Sequence, residues 1–244
     1  MTYIEFNIVT IFPEMFKTSL NESILKKAQE KSLFKINLFN LRDFAEGKHK
    51  VTDDYPYGGG GGMIMKPEPI VKAIESIKAE KPKSKVILMT PQGKTLNQAY
   101  AKTLSKVQSW IIICCHYEGV DERVRQHFVD EEISIGDYIL TGGEIPAMVL
   151  IDVLVRYIPG VIGGKKAVEN DSFFNSLLEY PQYTRPSNFR GLQVPEVLLS
   201  GNEKHIKDWH HKQALKRTFE RRPDLLAKTK LNEEDTQYLH TIRK

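Results

Sequence analysis

The chain has 244 residues, 41% of them apolar and 27% charged, with a net charge of +4. Such a length can bury a core unaided, and the composition is that of a globular protein rather than a collagen, a coiled coil or a disordered tail. Only two cysteines occur, the neighbours Cys114 and Cys115, which excludes a disulfide framework and fits a reducing, cytoplasmic compartment. The first residues lack a basic region followed by a small-residue cleavage site, so no signal peptide is expected. No stretch approaches the roughly 18 apolar residues that a membrane span needs.

Residues 4–11 are β-branched and aromatic and predict a strand. Pro13 then opens a helix with Met15, Leu20, Ile24 and Leu25 on its apolar face. Residues 34–41 alternate as a second strand, and a glycine-heavy loop follows over 43–66. Pro67 opens a helix with Ile70, Val71, Ile74 and Ile77 at helical spacing. A short strand at 86–89 and a helix at 96–107 come next. Residues 109–115 form a continuous apolar strand, the pattern of a strand buried on both faces. Helices at 120–129 and 145–157 complete an alternation that predicts an α/β domain with a mostly parallel sheet.

Character changes after Pro159. Residues 160–195 are rich in glycine and proline and too long for a silent connection. Residues 196–244 read as helical, with Ile206, Trp209, Leu215 and Phe219 as apolar positions and Asn232 capping a last helix over 233–242. Charge is uneven: residues 1–180 carry 22 basic and 23 acidic side chains, residues 181–244 carry 13 and 8. Lys204 to Arg222 alone holds seven Lys or Arg and three His, the footprint of a phosphate-backbone binder or of a solvated helix face.

Two common nucleotide fingerprints fail. Gly93-Lys94-Thr95 resembles the end of a P-loop, but Leu88 stands where its first glycine belongs. The GxGxxG pattern does not fit the run Gly58–Gly62, and the first strand–helix turn has no glycine. Adjacent cysteines lack zinc-knuckle spacing, and His210-His211 reads as metal ligands or as a solvated helix end. Three segments stand out. Five consecutive glycines after Asp53-Asp54-Tyr55-Pro56-Tyr57 suit a close approach to a ligand or a moving flap. His116 to Val124 follows the buried strand, where α/β sheets bind ligands, and makes Glu118 a functional candidate. Ser134 to Pro146 has three glycines just before a helix, which suits either a backbone wrapped around a small molecule or a tight turn with a helix cap.

Together these segments resemble the bacterial tRNA (guanine-N1)-methyltransferases of the TrmD family, in the SPOUT superfamily. The resemblance rests on collinear motifs: IVTIFPEMF at 8–16, DDYPYGGGGGM at 53–63, MTPQG at 89–93, HYEGVDERV at 116–124 and SIGDYILTGGEIPAM at 134–148. RYIPGVIG at 156–163, ENDSF at 169–173, PQYTRP at 181–186, VPEVLLSGN at 194–202 and RRPDLL at 221–226 complete it.

The resemblance implies a knotted α/β domain over 1–162, a linker at 163–180 carrying a catalytic Asp, and a basic helical tRNA-binding domain over 181–244. It implies S-adenosylmethionine as methyl donor, bound bent in the loops of a deep trefoil knot. The implied cofactor contacts are Leu88, Met89, Thr90 and Pro91 in one loop and Cys115, Tyr117 and Glu118 in a second. Ser134, Ile135, Gly136, Asp137, Tyr138, Ile139, Leu140, Gly142, Gly143 and Pro146 form the third. Asp171, Arg156 and Glu118 are the implied catalytic residues, with Asp171 as general base and Arg156 as hydrogen-bond donor to the guanine carbonyl. No protein-held metal is expected; magnesium dependence is implied without a site. Further implied are a homodimer with the active site at its interface, no membrane association, and guanosine 37 of tRNA, preceded by another guanosine, as target. Rival readings are a SPOUT enzyme acting on another RNA position and a non-catalytic RNA-binding module. Two positions depart from the family pattern. Cys115 replaces a glycine, which would narrow the pocket and make Cys115 a candidate reactive thiol. Glu203 replaces a histidine.

Overall fold

The structure is a computed structural model and describes residues 3–163 and 171–243. The chain divides into two compact units, Met1–Gly164 and Lys165–Lys244. Glu169 and Asn170 of the ENDSF motif, and the linker positions 164–170, lie outside the described residues.

The first unit is built on five parallel strands: β1 (Ile4–Thr10), β2 (Phe34–Asn40), β5 (Lys85–Thr95), β6 (Ser109–Cys114) and β7 (Glu131–Ser134). Their order across the sheet is β2-β1-β6-β5-β7. Two short strands, β3 (Asp53–Asp54) and β4 (Ile64–Met65), pair antiparallel at the base of the glycine run. Period-two alternation sorts the strand side chains between two cores. Ile4, Phe6, Ile8, Ile87, Met89, Trp110 and Ile112 face one side. There they meet α1 (Glu14–Ser19), α2 (Ser23–Glu30), α4 (Gln98–Leu104) and α6 (Glu144–Val155). Val9, Val86, Leu88, Ile111 and Ile113 face the other, against α3 (Pro67–Glu80) and α5 (Glu122–Phe128). The result is the expected α/β class, with a sheet buried on both faces.

The structure differs from the sequence expectations at several places. The helix expected after Pro13 is two short helices, with Leu20–Glu22 between them. Phe16, Leu20, Leu25 and Ala28 are buried, whereas Met15 and Ile24 are exposed. Strand β7 was not expected, since Glu131 and Glu132 hide its single buried isoleucine, Ile133. The helix expected at 96–107 is shorter, because Asn97 caps it by accepting from the Tyr100 N–H at 3.0 Å.

Among its described residues the second unit contains a short hairpin, β8 (Asn188–Phe189) and β9 (Leu192–Gln193), and the helices α7 (Glu196–Leu199), α8 (Glu203–Arg221), α9 (Pro223–Leu226) and α10 (Glu233–Ile242). Asn232 caps α10 through a reciprocal box with Asp235, as the sequence predicts. Glu203 occupies the first turn of α8, where a negative charge favours the helix dipole. Residues 171–179 are held on these helices. The Leu178 N–H donates to Thr218 Oγ1 at 2.8 Å, and Thr229 Oγ1 donates to the Ser176 carbonyl at 3.0 Å.

Candidate cofactor pocket

The carboxyl ends of β5, β6 and β7 open into a cavity of about 620 Å³, within the size range of small-molecule sites. Three loops form its walls, and each has a local physical cause.

The first wall is an excursion of β5. Ile133 of β7 pairs with both Met89 and Lys94, so Thr90, Pro91, Gln92 and Gly93 loop out of the ladder between them. Gly93 closes this excursion against the neighbouring backbone. A Cβ there would lie 2.3 Å from the Ile133 nitrogen and 2.4 Å from the Glu132 carbonyl carbon. This close approach accounts for the glycine that superficially suggested a phosphate loop. Arg125 braces the same wall from α5, donating to Glu132 Oε2 at 2.8 Å and to Gln92 Oε1.

The second wall is the turn after β6. Tyr117 sits in the left-handed region at φ 59° and the chain reverses through Gly119. This turn is stitched to residues 63–65. Glu118 N–H donates to the Met63 carbonyl at 3.0 Å, and Met65 N–H to the Gly119 carbonyl at 2.9 Å. The last residue of the glycine run packs directly on Glu118, since a Cβ on Gly62 would fall 2.7 Å from its Oε1.

The third wall runs from Ser134 to Gly143. Ser134 Oγ bonds both the N–H and the carbonyl of Gly136, and Tyr138 donates to the Ile135 carbonyl at 3.0 Å. Gly143 N–H donates to the Cys115 carbonyl at 2.7 Å, which fastens the third wall to the second. Gly143 is also the N-cap of α6.

All the cofactor contacts implied by the resemblance line this cavity except Asp137. Gln92, His116, Arg125 and Thr141 line it as well. Gln92 and Arg125 escaped the sequence reading because they meet across 33 positions of chain, with no local pattern to pair them. His116 stood inside a quoted motif, but nothing in the sequence assigned it a contact. The surroundings of Cys115 disfavour the reactive thiolate. Burial pushes the Cys115 thiol up to about 12, helped by the negative charges of Glu144 and Glu132, so the thiolate is scarce at neutral pH.

Arg156 follows the last residue of α6 and is not among the lining residues. Asp171 belongs to the second unit, where its carbonyl accepts from the Phe174 N–H at 3.2 Å, in a turn rather than a helix. In that unit Lys204, Lys207, Lys212 and Lys216 are exposed along α8. Two of the three histidines of this helix, His210 and His211, are engaged separately. His210 stacks on Tyr180 at 3.6 Å, and His211 bonds Asp235 at 2.6 Å. Among the described residues no three His, Cys, Asp or Glu side chains gather as a metal site.

Comparison with known proteins gives this architecture its lineage. The family described as tRNA (Guanine-1)-methyltransferase TrmD matches residues 4–228. A protein of Dictyoglomus turgidum named tRNA (guanine-N(1)-)-methyltransferase is 57% identical over 238 residues, covering 98% of this chain and 96% of that one. Proteins with the same name from Geotalea uraniireducens and Geobacillus kaustophilus are 55% and 54% identical, covering 98% and 96% of this chain and 97% and 96% of their own lengths. With its parallel sheet, its glycine-built pocket and matches of this extent, the chain belongs to the tRNA (guanine-1)-methyltransferase TrmD family.

Proposed function

We propose that this protein methylates N1 of guanosine 37 in tRNA, at sites where guanosine 36 precedes it, using S-adenosylmethionine. The observation that carries the reading is the 620 Å³ cavity at the strand ends, walled by close-packed backbone, in a chain of this family. Leu88, Tyr117, Ile135, Tyr138 and Leu140 offer apolar and aromatic surface for an adenosine moiety. Glu118 lines the same cavity and supplies negative charge suited to a cationic ligand. The bound cofactor contributes a methyl carbon made electrophilic by the positive sulfur that carries it.

The remaining chemistry falls to the chain. N1 of guanine bears a proton and is a poor nucleophile, so a base must take that proton as the new N–C bond forms. Asp171 is assigned this task. Negative charge then grows on O6, and Arg156, a planar donor fork that is always charged, is assigned to hold it. Reaching N1 requires the base to leave its stack. The exposed lysines of α8 suit the phosphate backbone of the same tRNA.

A homodimer with the pocket at its interface fits the exposed apolar residues Phe12, Met15, Ile145 and Val149 near the root of α6. The domain division proposed is 1–162, 163–180 and 181–244, with the knot in the cofactor loops. No helix among the described residues is long and apolar enough to cross a membrane, and a tRNA enzyme is assigned to the cytoplasm.

The test is transfer of labelled methyl from S-adenosylmethionine to an unmodified tRNA transcript carrying guanosines 36 and 37, with mass spectrometry locating the product. N1-methylguanosine at position 37 is expected. Asp171→Ala should lower kcat by about 10²–10⁴, the usual worth of a general base. Product at another position would replace the assigned target, and no product from a dimer that binds tRNA would refute the assigned activity.

A further inference from the structure

One ionisable side chain in the first unit has no part in the chemistry above and is nonetheless almost fully buried. Glu144 opens α6, where a first-turn carboxylate is ordinarily a surface charge, yet it is 1% exposed. Both its oxygens are taken. Thr10 Oγ1 at the end of β1 donates to Oε1 at 2.6 Å, and His116 Nε2 lies 2.7 Å from Oε2. Since a carboxylate only accepts, His116 presents its Nε2–H to it. Thr10 in turn accepts from the Phe12 N–H at 2.9 Å, so Thr10 and His116 converge as donors on one carboxylate. A buried charge is tolerated only with such partners, and removing any of them leaves an expensive group behind.

The surroundings are shaped to this pair. A Cβ on Gly142 would fall 2.3 Å from His116 Cε1 and 2.7 Å from Glu144 Oε2, so the glycine leaves room for the ring and the carboxylate together. Held there, His116 lines the 620 Å³ cavity on one side. On the other it lines a smaller cavity of about 250 Å³ beside Phe12, Met15 and Ile145. The ring also meets Phe12 edge-on, with centroids 4.8 Å apart. Thr10 lines neither cavity and reaches the cofactor wall through Glu144.

We propose that Glu144 is a positioning residue for the methyl transfer, fixing His116 as the rigid partition between the cofactor cavity and the apolar face beside it. It sets how tightly the cofactor is held, without touching the reacting atoms. This inference rests on the functional reading above.

The experiment compares wild type, Thr10→Val, His116→Gln, Glu144→Gln and the double variant Thr10→Val/His116→Gln. Cofactor affinity is measured by calorimetry, KM and kcat with tRNA at saturation, and Tm in parallel. Thr10→Val keeps shape and burial while removing the hydroxyl. It should raise KM for S-adenosylmethionine about tenfold, the worth of one charge-assisted hydrogen bond, with kcat within a factor of two. Glu144→Gln should move KM in the same direction, and if it fails to fold the Thr10 variant still decides. Combining Thr10→Val with His116→Gln should cost less than the product of the two separate effects, because both act through one carboxylate. Wild-type affinity in Thr10→Val, or a fall in Tm with KM unchanged, would overturn the proposal and leave the methyltransferase reading standing. Absence of S-adenosylmethionine binding by the wild type would overturn both.

Discussion

The two ends of the parallel sheet are finished in opposite ways. From the amino ends of β1 and β2 to their midpoints, side chains do the work. Asn7 is fully buried and uses both ends of its amide, donating to the Trp110 carbonyl at 3.1 Å and accepting from Asn37 at 2.9 Å and Lys81 at 3.1 Å. Glu5 accepts from Asn37 and Lys81 beside it. Beyond the carboxyl ends of β5 and β6, apart from the Thr10–Glu144–His116 network, close backbone does most of the work. Gly93 and Gly143 each stand where a Cβ would come within 2.7 Å of a neighbouring backbone atom. One end is closed by polar bonds that raise stability. The other is closed by backbone contact, which keeps a cavity open between the loops.

Three substitutions and one alkylation experiment test that division, in falling order of effect. Gly93→Ala forces a Cβ into the β7 backbone, which cannot yield as a side-chain tip would. It should cost about 3 kcal/mol or more and weaken cofactor binding more than about a hundredfold, read by calorimetry. Asn7→Ala removes the buried bonds to the Trp110 carbonyl, Asn37 and Lys81, the last two of which keep Glu5, and should cost about 2 kcal/mol in urea unfolding with KM unchanged. A large rise in KM for Asn7→Ala would break the comparison.

Glu5→Gln should act only through pH. Burial disfavours the Glu5 charge, but Lys81, Asn37 and Lys35 outweigh it and hold the carboxyl below its ordinary range. A depressed folded-state pKa gives stability that is present above the unfolded value, near 4.5, and is lost as pH falls through the folded one. The variant should therefore lose about 1 kcal/mol at neutral pH and approach wild type in acid. The smallest effect belongs to Cys115: its raised thiol should resist iodoacetamide at pH 7.5, which peptide mapping would show.

The sequence displays these two ends unequally. Strands β1, β2 and β6 and helix α3 were legible because burial on a sheet face leaves apolar runs or alternation. The cap Asn232 was legible because capping is local chemistry within four residues. Strand β7 was not, since its pairing with β5 is made by backbone that any side chain carries, and two of its four residues are Glu131 and Glu132. The glycine clusters marked segments that build the walls, whereas the individual lining residues were implied by the family resemblance and not by any local pattern. Nothing in the sequence assigned Arg125 or Glu144 a role, and what distinguishes them is the distant partners the fold brings, Gln92 for one and Thr10 for the other.

The double pairing of Ile133 has a further consequence. Because that residue meets Met89 before the excursion and Lys94 after it, the number of residues between them works as a gauge. One residue more or fewer would turn Lys94 and Thr95 to opposite faces of the sheet, since side chains alternate along a strand. The aperture at this wall is therefore quantised. Drift in sequence can repaint it residue by residue, whereas a change of calibre would need a compensating shift of the whole edge strand.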